Sequence, residues 1–162
     1  MKPNELETTT NLKDVLIEPA LAVGEGSQFS KAHVMNGDSG VVFAARLLIK
    51  AAPSFFDSAG TPKQELAQTL GAISVYLTDI ASALRLGSSP ISSLGQLRAK
   101  TITFIILARE IVPEQTARGI ARQLVSGTRF ATPLSDDDRS GAIASDYETA
   151  AKLFKQVADQ MA

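Results

Sequence analysis

The 162 residues include no cysteine, no tryptophan, a single histidine and only two tyrosines. Without thiols the chain forms no disulfide and offers no thiolate to a metal or an electrophile, which fits a reducing compartment. One histidine can neither build a zinc cluster nor pass a proton to a second imidazole. No apolar run approaches the ~20 residues of a membrane span. The longest, TITFIILA at 101–108, is closed by Lys100 and Arg109. The opening MKPNELETTTNLKD is polar and acidic, unlike a secretory leader. These shortages predict an intracellular, soluble protein, cytoplasmic or part of a larger particle, with no membrane partner and no cofactor.

What is present reads as one domain. Apolar residues make up 44% and charged residues 20%, values at which a chain of this length buries a real core. The net charge of −1 is unevenly spread. Residues 85–129 carry seven Lys/Arg against two Asp/Glu, residues 1–84 six against nine, and residues 130–162 three against six. A basic middle lies between acidic ends.

Periodicity begins near residue 38. Residues 1–37 show none that is sustained and are expected to form a flexible or partner-bound arm. Residues 38–162 are expected to fold as an all-α domain, a bundle of about five helices. Asp38 or Ser39 can cap a first helix that stops at Pro53. Thr61-Pro62-Lys63-Gln64 reads as a capping box with proline at N1, and Gly87 as the terminating residue. Between them Leu66, Leu70, Ile73, Leu77, Ile80 and Leu84 alternate spacings of four and three, the heptad-type stripe of an amphipathic helix.

The segment 91–112 is rich in β-branched residues, yet its flanks continue without turn residues. Leu94, Leu97, Thr101, Phe104, Ala108 and Ile111 keep heptad spacing, so it is read as helix. Ile102 and Ile106 fall outside that stripe and form a second apolar surface, which marks them as an expected oligomer interface. Pro113 opens a further helix with Ala117, Ile120, Ala121 and Leu124 inward and Gly127 as terminator. Ser135 caps the last, where Ile143, Tyr147, Ala150, Phe154, Val157 and Met161 form another stripe.

Several constellations bear on chemistry. Gly37-Asp38-Ser39-Gly40, whose serine stands six residues after His33, resembles the nucleophile loop of chymotrypsin-like serine proteases, which implies a serine nucleophile. That arrangement needs a histidine and an aspartate delivered by two β-barrels, with the serine late in the chain. Here 36 residues precede the motif and no β-rich segment surrounds it. An Asn-Gly turn followed by a helix cap accounts for the same residues. The segment KQELAQTLGAISVYLTDIASALRLG is similar to the second helix of MazG-type NTP pyrophosphohydrolases. That resemblance implies Mg²⁺ held by carboxylates three and four residues apart. Gln68 stands where a partner for Glu65 belongs, and Asp79 has no carboxylate one turn away, so a hard cation lacks its oxygens. A degenerate or weakly active relative of those enzymes is the alternative reading. Asp136, Asp137 and Asp138 suit the positive end of a helix dipole.

The basic middle supplies the remaining candidates. Arg98 and Arg109, eleven residues apart, project from nearly one helix face, Arg118 and Arg122 lie one turn apart, and Arg129 follows Gly127. Arginine's fork suits phosphate oxygens, so these five are the expected nucleic-acid or anion-binding set. Glu114, one turn before Arg118, is placed to pair with it. With no tryptophan to stack on bases, any nucleic acid would be held by its backbone. The sequence thus predicts a non-enzymatic assembly protein, homo-oligomeric or part of a complex.

Overall fold

The structure, a computed structural model, describes residues 40–128 and 137–162, with the backbone alone for 137–143. Five helices occupy these residues: α1 (Gly40–Phe56), α2 (Thr61–Leu86), α3 (Ile91–Ala108), α4 (Glu114–Thr128) and α5 (Asp137–Met161). No strand occurs among the described residues, as the all-α expectation requires. No described helix is long and apolar enough to cross a membrane. The expected arm over 1–37, the caps at Asp38, Ser39 and Ser135, and His33, Arg129 and the side chain of Ile143 lie outside the described residues.

Helix α2 is the hub. Its most extensive partner is α5, followed by α3, and α3 in turn packs on α4. The stripe from Leu66 to Leu84 is buried along its whole length, as is the α5 stripe from Tyr147 to Met161. Leu97, Thr101, Phe104 and Ala108 turn inward from α3, and Ala117, Ile120, Ala121 and Leu124 from α4. The alternation of four and three keeps successive apolar side chains within one sector of a helix with 3.6 residues per turn. Burial of that sector, rather than local propensity, holds helices of this length together.

Four helix boundaries differ from expectation. Helix α1 does not stop at Pro53 but runs through it to Phe56. Proline there removes one N–H from the ladder, and its would-be acceptor is the carbonyl of the exposed Ile49, which water can satisfy. The added turn places Phe55, fully buried, edge-on against Phe104 with ring centroids 6.4 Å apart at 85°. Its last carbonyls find side-chain donors: Ser58 Oγ donates to Phe55 O at 2.5 Å and Lys63 Nζ to Phe56 O at 3.1 Å. At the start of α2 the cap position falls to Gly60, at φ 81°, and Thr61 makes no capping bond. The positive φ suits a residue without Cβ. Gly87, at φ 71°, ends α2 as expected, with the Ser88 N–H reaching Ala83 O at 2.8 Å. Helix α3 closes at Ala108, and residues 109–112 form a turn into α4. Gly127, read as a terminator, lies within α4.

Buried polar groups fix the packing. Ser74 Oγ donates to Ala151 O at 2.8 Å, joining α2 to α5, and Tyr147 hydroxyl donates to Gly127 O at 2.9 Å, joining α5 to the end of α4. Burial pushes the Tyr147 phenol well above its ordinary range, so it remains a neutral donor. Tyr147→Phe therefore removes the described side-chain donor from the buried Gly127 carbonyl and is expected to cost about 1–3 kcal/mol. Phe104→Ala, which also empties the Phe55 contact, is expected to cost about 3–5 kcal/mol. Urea unfolding followed by circular dichroism measures both, and a Phe104→Ala protein as stable as wild type would contradict this packing.

Candidate functional site

One side of α3 faces the core and the other meets water. Ile102 is 61% exposed, Ile106 49% and Ile91 75%. Residues eleven apart on a helix differ by about 20° in direction, so Ile91 and Ile102 share a row. Arg98 and Arg109, both exposed, stand in that same row. The result is an outer face on which isoleucines alternate with arginines, backed by Leu97, Thr101, Phe104 and Ala108 in the core. Thr101 is accommodated inside because its hydroxyl donates to Arg98 O at 2.6 Å, one turn back on its own helix.

The arginines do not form one uniform patch. Glu114, in the first turn of α4, accepts a hydrogen bond from Arg118 Nε at 2.6 Å, the pairing the spacing predicts. Its other oxygen lies 4.0 Å from Arg109 Nη1. One carboxylate thus gathers the guanidinium at the end of α3 and that of α4, and offsets part of their charge. Arg122 lies one turn beyond Arg118, exposed. Arg98 sits about 16 Å from Arg109 along α3, at 1.5 Å per residue. Of the five arginines expected to act together, the structure joins Arg109 and Arg118 and leaves Arg98 apart. Arg129 lies outside the described residues.

Other exposed apolar residues were not anticipated from the sequence. Leu86 is 81% exposed and Val75 56%, both on the outer side of α2. The eleven-residue spacing of Val75 and Leu86, like that of Ile91 and Ile102, was the available signal. An ion pair with no sequence signature joins Arg85 to Glu148 across α2 and α5, through two bonds of 2.8 and 2.7 Å.

The carboxylates named by the pyrophosphohydrolase resemblance do not converge. Glu65 and Asp79 are about 21 Å apart along α2, too far to share an ion. Among the described residues no group of three or more His, Cys, Asp or Glu is placed to hold a metal. No protein-family model matches the chain, nor does any curated protein or solved structure compared with it.

Both paired glutamates titrate below their ordinary value of 4.5. For Glu114 the chief cause is the hydrogen bond from Arg118, followed by that arginine's charge, with a smaller contribution from Arg109. For Glu148 it is the hydrogen bond from Arg85. A carboxyl lowered by folding stabilises the native state above its unfolded value, and that contribution fades as pH falls through the folded value. Carboxyl-detected NMR titration is expected to place both midpoints below 4.5. Arg85→Met should raise Glu148 alone. A Glu148 midpoint unmoved by that substitution would contradict the pairing.

Proposed function

We propose that this chain is a non-enzymatic assembly subunit, a helical bundle that associates with further copies through the outer face of α3. The observation that carries the reading is the exposure of Ile91, Ile102 and Ile106 on a helix whose opposite side is already in the core. Isolated exposed apolar residues are ordinary on protein surfaces, but a row of them on one helix is a feature of contact sites. Burying an isoleucine side chain is worth about 1.5–3 kcal/mol. Three of them supply about 4.5–9 kcal/mol against the roughly 4–15 kcal/mol that association costs, so the row is a substantial part of the contact and further area adds the remainder. Light scattering at tens of micromolar is expected to give a mass above that of one chain. Ile102→Glu with Ile106→Glu should return the mass to a single chain with helicity unchanged. A wild-type protein that remains a single chain at that concentration would overturn the reading.

The exposed arginines favour a second role for such an assembly, contact with a nucleic-acid backbone. Support comes from the clustering of Arg109 and Arg118 around Glu114, with Arg122 a turn further on. Each phosphate contact adds about −0.9 to the slope of log affinity against log salt. Arg118→Ala with Arg122→Ala is therefore expected to weaken binding to duplex DNA and flatten that slope by about 2. Absence of binding by the wild type at low salt would remove this role.

A further inference from the structure

We infer that the outer face of α3 is covered by the outer face of α2 from a second copy of this chain, in a contact that repeats from copy to copy. This rests on the self-association proposed above and names the surface that meets α3.

Helix α3 is poorly suited to meet itself. Antiparallel pairing of two α3 faces brings Arg98 of one copy near Arg109 of the other, and parallel pairing sets each arginine against its own counterpart. Like charges held opposite each other in an interface repel and select against that partner.

The outer face of α2 matches it instead. Counted back from Leu86, its outward positions fall at steps of four, three, four, four and three residues, reaching Ser82, Asp79, Val75, Gly71 and Gln68. Counted forward from Ile91, those of α3 follow the same steps to Gly95, Arg98, Ile102, Ile106 and Arg109. All twelve are exposed except the half-buried Gly71. Because α2 and α3 form a hairpin with a short turn, matching positions stand at matching heights. A neighbour displaced sideways, without sliding along the helix axes, therefore sets its α2 antiparallel to α3 in this register.

At each height the chemistry is complementary. Leu86 meets Ile91 and Val75 meets Ile102, apolar on apolar. Asp79 meets Arg98, and neither makes an ion pair among the described residues. Gly95 lies opposite Ser82, and Gly71 opposite Ile106. A glycine inside a helix costs about 1 kcal/mol relative to alanine. Among the described residues nothing lies within 4 Å of a Cβ added at Gly71, Gly95 or, on α4, Gly119; the first two stand on the proposed contact, where a residue without a side chain lets a neighbouring helix approach closely. Because the two faces differ, the contact is heterologous and leads to a closed ring or an open filament.

The absence of native cysteine makes cross-linking a clean test. Full-length Val75→Cys and Ile102→Cys proteins, mixed and oxidised, are expected to form a covalent heterodimer, and Ile102→Cys alone none. In light scattering, Asp79→Arg and Arg98→Asp are each expected to weaken association about tenfold or more, through like-charge apposition. Mixing these two proteins should restore it, since each supplies the charge the other's face needs. Both sites are exposed, and circular dichroism checks that the helices persist. Cross-linking of Ile102→Cys alone would overturn the inference in favour of α3 meeting α3. Association of the wild type that neither charge reversal disturbs would overturn it while leaving self-association intact. A wild type that never associates would overturn both.

Discussion

Six aliphatic side chains on one sector of α2, from Leu66 to Leu84, are removed from water together, and the remaining helices are arranged to remove them. At about 1.5–3 kcal/mol per side chain this stripe contributes roughly 9–18 kcal/mol of transfer free energy, an upper bound because unfolded chains already bury some apolar surface. A domain's net stability is only about 5–15 kcal/mol, so the bundle does not survive without the stripe. Covering it takes α5 along one side and α3 along another. Directional bonds then choose among the packings that burial alone would allow: Ser74 to the Ala151 carbonyl, Tyr147 to the Gly127 carbonyl.

That arrangement has a consequence at the surface. A helix recruited to cover α2 presents whatever lies on its far side to solvent. On α3 the far side carries isoleucines and arginines in one row, and on α2 itself it carries Val75, Asp79 and Leu86. The sequence is economical elsewhere, with polar or small residues on most outward positions, so apolar side chains at these particular places call for a reason outside the single chain. The association proposed above supplies one, and the glycines at 71 and 95, where no described neighbour lies within 4 Å of an added Cβ, are compatible with it.

Much of this is legible in the sequence alone. Heptad spacing at Leu66–Leu84 and at Tyr147–Met161 identified the buried sectors, because burial imposes a period that survives in the letters. Ile102 and Ile106 stood out for the converse reason, apolar residues lying off the stripe. Boundaries were harder. Pro53 reads locally as a stop, but one lost hydrogen bond at an exposed position is outweighed by burying Phe55 against Phe104, a contact made 49 residues away. Thr61 reads as a cap, yet the positive φ at Gly60 moves the helix start by one residue. The arginines illustrate a different limit. Their shared faces follow from spacing, while the meeting of Arg109 with Glu114 depends on how the turn at 109–112 joins two helices, which no period encodes.

The account turns on Ile102 being wet in one copy and covered in the assembly. The most direct measurement is isoleucine methyl NMR with a water-soluble paramagnetic probe, read at low and high protein concentration. Ile73 and Ile80 should be shielded throughout, whereas Ile102 should be quenched when dilute and shielded when concentrated. An Ile102 methyl quenched equally at every concentration would contradict the account.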